Sequence, residues 1–128
     1  MALALKHNHT LERLKLDGLW FGDEGFRALW KVITPPNKKN PHPSLISINF
    51  NNCGLTDVSM AIIGESGSIG NLQEIYLEQN QISDRGVLDL TKAIVDNKTL
   101  KKLSVAQNHV SYRGQNTLRM FCSGVCRV

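Results

Sequence analysis

The sequence predicts an α/β solenoid, a domain made by stacking strand, turn and helix units. Three observations carry this expectation: an internal repeat, the two different hydrophobic periods inside each repeat, and turn and cap residues between them. Residues 72–82 read LxxLxLxxNxI, and Leu100, Leu103, Val105, Asn108 and Val110 repeat that spacing. So do Leu45, Ile48, Phe50, Cys53 and Leu55, and so do Leu11, Leu14, Leu16, Leu19 and Phe21. The starts at 11, 45, 72 and 100 give steps of 34, 27 and 28 residues. Later offsets stay in register: Gly25, Ser59, Gly86 and Gly114 share one position, and Leu29, Ile63, Leu90 and Leu118 another.

Within a unit, Ile75 and Leu77 alternate with polar neighbours, which is a short strand with one buried face. Asn80 falls in the turn, where its amide can bond backbone groups of neighbouring coils. Thr56, Ser83 and Ser111 then stand where a helix N-cap belongs. Asp57 and Asp84 follow the first two of these, at the positive end of the helix dipole. Val87, Leu90, Ala93 and Ile94 form one apolar helical stripe. Such a unit cannot bury its apolar faces alone, so the units must stack.

Two segments break the rhythm. All four prolines lie within residues 35–43, which explains the longer first step as an extended surface loop. Gly64, Gly67 and Gly70 stand where a helix should end, so a short or irregular helix is expected there. Residues 1–11 parallel residues 90–100, so the chain opens inside a helix. The expected organisation is therefore one domain, 1–128, of about four repeats plus a leading half-repeat, and a fragment of a longer array.

Composition bounds the function. The chain has 128 residues, 41% hydrophobic and 20% charged, enough for a core. A net charge of +4 without any run of like charge does not favour nucleic acid. No apolar stretch approaches the roughly 18 residues of a membrane helix, and no signal peptide is visible. An odd count of three cysteines argues for a reducing compartment, hence the cytoplasm.

The unit LxxLxLxxNxI-S-D-x-G-x-x-x-L resembles the leucine-rich repeat of the ribonuclease-inhibitor-like subtype, over nearly the whole chain. The resemblance implies a curved parallel sheet inside and helices outside. The subtype occurs in cytosolic inhibitors, in receptors that pair a nucleotide-binding domain with repeats, in Ran GTPase activators and in actin-regulating scaffolds. Departures are Leu19 where Asn or Cys is usual, Ser59 where Gly is usual, and Gly67 where an aliphatic is usual. The implied function is non-enzymatic recognition of a protein partner, with no cofactor. A GTPase-activating or autoinhibitory repeat domain of a larger signalling protein is the alternative.

The candidate site is the set of strand residues between the buried ones. It comprises Arg13, Lys15 and Asp17; Asn49 and Asn51, beside Ser47; Glu74, Tyr76 and Glu78; and Lys102 and Ser104, with Ala106 next to them. Gly18, Asn52, Gln79 and Gln107 add the flanking turn. The surface is basic at one end, polar in the middle and acidic around Tyr76. Tyr76 between carboxylates suits a binding anchor, or else an ordinary solvated sheet face. Four strands cover only on the order of 200 Å², against roughly 800 Å² per partner in a standard interface. Turns, loop or further units must therefore contribute.

Other residues have quieter expected roles. Trp20 is expected to plug the exposed first core rather than serve as a contact, and Trp30 to pack between helices. Cys53 reads as a structural turn residue. Cys122 and Cys126 are four apart on an expected helix but lack further ligands for a metal. The histidines show no metal spacing and belong in loops or turns. Asn8-His-Thr10 and Asn97-Lys-Thr99 match a glycosylation sequon, but share one repeat position that explains them without a glycan. Lys38 and Lys39 could touch an acidic partner, with a solvated linker as the plainer role.

Overall fold

The computed structural model describes residues 1–35, 40–121 and the backbone of 126–127. Helices and strands alternate: α1 (Ala2–His7), β1 (Arg13–Lys15), α2 (Gly22–Ile33), β2 (Ser47–Asn49), α3 (Asp57–Ser66), β3 (Glu74–Tyr76), α4 (Asp84–Ile94), β4 (Lys102–Ser104), α5 (Tyr112–Phe121) and β5 (Cys126–Arg127). Among the described residues the strands form one parallel sheet in chain order. Parallel neighbours need a crossover, and each helix supplies it. Leu14, Ile48, Ile75 and Leu103 are paired in one row across β1 to β4, matching the repeat offsets.

The core lies between sheet and helices. Ile48, Phe50, Ile75, Leu77, Leu103 and Val105 meet Phe26, Met60, Ile63, Val87, Leu90 and Leu118, all buried. Phe26 stacks on Trp30 at 5.4 Å and meets Phe50 edge-on at 5.6 Å. Trp30 does pack between helices, and its indole N–H donates to Ser66 Oγ of α3 at 3.1 Å.

Turns are tied from one unit to the next by side-chain amides and carboxylates. Asn80 is buried, and its Oδ1 accepts the Cys53 and Leu55 N–H groups of the preceding unit at 3.0 and 3.1 Å. Its Nδ2 donates to the Phe50, Leu77 and Glu78 carbonyls. Asn108 repeats the arrangement with Ile82 N–H and the Leu77, Val105 and Ala106 carbonyls. Cys53 is the equivalent in the second unit, its thiol donating to the Leu16 carbonyl at 3.1 Å, so its structural role holds.

A second ladder runs along the helix starts. Asp23 accepts Thr56 N–H at 3.0 Å, Thr56 Oγ1 at 2.7 Å and Ser59 Oγ at 2.5 Å. Asp57 takes Ser83 N–H and hydroxyl at 2.8 and 2.5 Å. Asp84 takes the same two groups of Ser111. Asp57 and Asp84, expected to suit the dipoles of their own helices, thus reach the cap residue of the next unit. Thr56 caps α3 by accepting Val58 N–H at 3.1 Å, whereas Ser83 makes no side-chain cap bond. The ladder also explains the shared glycine position. A Cβ on Gly86 or Gly114 would collide with Asp57 or Asp84, and Ser59 in that place donates to Asp23 instead.

Several expectations need correction. α3 is regular to Ser66, one residue shorter than α4, and Gly67 ends it in the left-handed region at φ 65°. Gly67 thus caps a full helix, with Gly64 inside it and Gly70 beyond its end. Cys126 lies in a fifth strand, paired with Leu103, so Cys122 and Cys126 do not share a helix; Cys122 itself lies outside the described residues. Lys38 and Lys39 also lie outside them. His42, by contrast, is a buried pin: its Nε2 bonds the Leu5 carbonyl at 3.0 Å, and its Nδ1 accepts Ser44 and Leu45 N–H. It fastens the proline-rich loop to α1. In both sequons the Asn side chain accepts the N–H groups two and three residues on, a turn that the repeat requires.

Two stability predictions follow from the ladders. Asn80→Ala leaves buried backbone donors and acceptors unpaired, at on the order of 3 kcal/mol, which a melting curve reads as a fall of roughly 10 °C. Acid stability tests the carboxylates. Burial opposes ionisation of Asp23, but the Ser59 and Thr56 hydrogen bonds outweigh it and lower its pKa. The Ser111 hydroxyl and N–H lower that of Asp84. Such groups add stability that is complete above the unfolded value of about 3.9 and lost as pH falls below it. The urea midpoint of the parent therefore drops below about pH 4, and Asp23→Asn flattens that drop while lowering the neutral-pH plateau.

Candidate functional site

The sheet face opposite the helices carries the predicted residues in rows fixed by strand register. Arg13, Ser47, Glu74 and Lys102 form one row, and Lys15, Asn49, Tyr76 and Ser104 the next. Asp17, Asn51 and Glu78 share the following repeat offset.

Hydrogen bonds join much of this face to itself. Arg13 Nη1 reaches across β2 to Glu74 Oε1 at 2.7 Å, and the Tyr76 hydroxyl donates to the same oxygen at 3.4 Å. Glu78 Oε1 accepts the Ser104 hydroxyl at 2.5 Å. Asn51 Oδ1 accepts Glu78 N–H at 2.7 Å, and Asn49 Oδ1 accepts Asn51 N–H at 2.9 Å. Burial alone would raise the Glu74 pKa, but hydrogen bonds from Arg13 and Ser47 and the charges of Arg13 and Lys102 hold it below the usual carboxylate range. Tyr76 moves the other way, raised by burial and by the negative charge of Glu74.

The predicted residues therefore sort into three kinds. Lys15, Asp17 and Lys102 are exposed, as is Arg13 at the outer strand. Glu74, Tyr76, Glu78, Asn49 and Asn51 are half-buried and hold one another. Ser104 is buried under Glu78 and acts on the surface only through it, and Ser47 is buried as well. In the flanking turn Gly18, Asn52, Gln79 and Gln107 all occupy the left-handed region, with φ between 52° and 80°.

Trp20 departs from its expected place. It is 65% exposed rather than plugging the first core, and its indole N–H donates to Asn52 Oδ1 of the second unit at 3.2 Å. Leu19 beside it is 53% exposed, in the position where the other units bury Cys53 or Asn80. In the second and third units this side chain reaches back to the unit before it, Cys53 to the Leu16 carbonyl and Asn80 to that of Phe50. Among the described residues no group of three His, Cys, Asp or Glu side chains could hold a metal ion. None of the described helices is long and apolar enough to cross a membrane.

Comparison with known proteins fits this architecture. A leucine-rich-repeat family model matches residues 71–90. The chain is 32% identical over 96 residues to the NACHT, LRR and PYD domains-containing protein 3 of Bos taurus, covering 74% of this chain and 9% of that protein. It is 24% identical over 143 aligned positions to the NACHT, LRR and PYD domains-containing protein 14 of Homo sapiens, covering 89% of this chain and 13% of that protein. The chain thus spans about a tenth of the length of these curated relatives. In solved structures it resembles leiomodin-1 actin-binding site 2 with a TM-score of 0.77 and 12% identity, over 97% of this chain and 71% of that one. The fold is a leucine-rich-repeat solenoid.

The Arg13–Glu74 bond is directly testable. In Arg13→Met the Glu74 carboxyl loses its strongest partner, so its titration by carbon-detected NMR moves up toward the ordinary glutamate value. An unmoved Glu74 would show that Ser47 and Lys102 suffice.

Proposed function

We propose that this chain is a non-enzymatic recognition module of the ribonuclease-inhibitor-like subtype, which binds a protein partner with the concave sheet and adjoining turns. The proposed organisation is one domain of four repeats with a leading half-repeat, part of a longer array working in the cytoplasm. Nucleic acid, membrane and cofactor have no part in this reading. The observation that carries it is the Arg13, Glu74 and Tyr76 cluster: an aromatic ring with polar neighbours, fixed in place before a partner arrives. Fixed aromatic and arginine side chains lose little entropy on binding and are enriched among energetic anchors. Lys15, Asp17 and Lys102 surround it as exposed charges suited to steering and selecting a partner.

The names of the relatives support a protein ligand. Leiomodin-1 is titled for an actin-binding site, and the two curated relatives carry NACHT and PYD regions beside their repeats. That second pairing favours a second reading, in which the face docks on another domain of the same polypeptide and restrains it.

Affinity capture from cell lysate, with the parent and with a Tyr76→Ala, Glu78→Lys variant of matched thermal stability, tests the proposal. A protein recovered by the parent and reduced at least tenfold with the variant is the expected result. Equal recovery by both would remove the concave sheet from recognition.

A further inference from the structure

A partner reaching the concave sheet meets its charges unequally. Glu74 stands on β3, the middle of the five described strands, and its carboxylate is covered by donors. Arg13 Nη1 bonds its Oε1 at 2.7 Å, the Tyr76 hydroxyl bonds the same oxygen at 3.4 Å, and Ser47 is a further donor. Arg13 spans β2 to get there, so it leans inward over the sheet. The Arg13 side chain is 60% exposed and that of Glu74 20%. Solvent therefore meets the guanidinium of this pair, of which only Nη1 is engaged among the described residues.

Lys102 flanks the same carboxylate from the other side. It is the register partner of Glu74 on β4, and its positive charge acts on Glu74. It is exposed, with no ion pair among the described residues. Lys15, in the next row, is likewise exposed and unpaired there.

The two ends of the face thus differ in sign. The first two rows set three cations, Arg13, Lys15 and Lys102, against the covered carboxylate of Glu74. Beyond them the Gly18 N–H bonds the Asn51 carbonyl at 3.0 Å and the Asn52 N–H bonds the Glu78 carbonyl at 2.9 Å. Asp17, Asn51 and Glu78 therefore stand abreast, and that row is anionic, about 13 Å along the strands from the first. Glu12 and Lys101, exposed just ahead of β1 and β4, add one charge of each sign and leave this polarity unchanged.

A carboxylate suits the cationic end. Between Arg13 and Lys102 it accepts from the unused edge of the guanidinium and from the ammonium, so that charges of opposite sign alternate through Glu74. A partner cation would meet Arg13 and Lys102 before the covered Glu74, which is a repulsive approach.

We infer that Arg13 and Lys102 form an anchor for an aspartate or glutamate side chain of a protein partner, at the end of the concave sheet where the strands begin. This rests on the proposed recognition function and gives its chemistry: an acidic segment, kept from the other end of the face by Asp17 and Glu78.

The test uses a capped peptide of alternating glycine and glutamate, with the glycine and glutamine counterpart as control. Binding is followed in ¹H–¹⁵N spectra. The glutamate peptide is expected to shift the Arg13 side-chain N–H and the Glu74 and Lys102 amides saturably, with the glutamine peptide at least tenfold weaker. Arg13→Gln and Lys102→Gln are each expected to weaken binding at least fivefold, while Lys102→Arg stays within twofold of the parent. Arg85→Gln, an exposed cation on α4, is expected to change affinity less than twofold, which separates a site from general attraction to a basic chain. Unchanged melting curves verify the fold of each variant. Equal binding of both peptides, or undiminished affinity in Arg13→Gln or Lys102→Gln, would overturn the inference. Shifts confined to Asp17, Asn51 and Glu78 would overturn the anchor while leaving the concave-face reading intact. Peptide binding lost in Arg13→Gln and Lys102→Gln, with equal lysate capture by the parent and the Tyr76→Ala, Glu78→Lys variant, would support the anchor without a Tyr76 contact.

Discussion

The constraint on which this structure depends is that the inner side of each turn is buried between units and its backbone groups must still be paired. Asn52 and Gln79 at the turn tips are exposed, but the N–H and C=O groups behind them face the neighbouring unit, where they need partners. Asn80 and Asn108 resolve this by spending one amide on two neighbouring coils, accepting with the oxygen and donating with the nitrogen. The aspartate ladder does the same at the helix starts, and Gly86 and Gly114 are small because the carboxylate of the unit before needs the room. Stacking is thus enforced by polar satisfaction as much as by apolar burial. A unit removed from its neighbour would leave both kinds of group exposed together.

These linkages differ in how far they can be read from sequence. Strand rows, helix stripes and Asn80 were legible because each recurs at a fixed offset and answers to its own local period. The aspartate ladder recurs just as regularly, yet Asp57 and Asp84 have an adequate local explanation in the helix dipole. Nothing in a linear pattern shows that their partners lie a whole unit away. His42 was not legible for the opposite reason. It occurs once, in an aperiodic proline-rich loop, and its role comes from where that loop returns over α1.

The strand at Cys126 and the position of Trp20 show a related limit. Cys122 falls on the offset of core residues Ile33 and Ile94, so a helix reaching Cys126 follows from the period. Cys126 and Arg127 form a fifth strand paired with β4. For Trp20 the open question was which side it would cover. Its indole N–H requires an acceptor, and Asn52 on the next turn supplies one. A buried plug over the first core would have had to leave that group unpaired or find a partner among aliphatic side chains.

The division of labour on the surface follows from the same accounting. The centre of the sheet face is half-buried and already bonded to itself through Glu74, Glu78 and the two asparagines. A partner that broke those bonds would have to replace each of them to gain anything. Under the proposed recognition the centre would serve intact, as a rigid floor, and selectivity would come from groups still able to form new contacts. Those are the exposed charges Lys15, Asp17 and Lys102 and the exposed side chains of the turn rim. A floor of on the order of 200 Å² without that rim would fall well short of a standard interface. The turns, whose conformation is fixed in every unit, extend it without adding flexible segments that a partner would have to order.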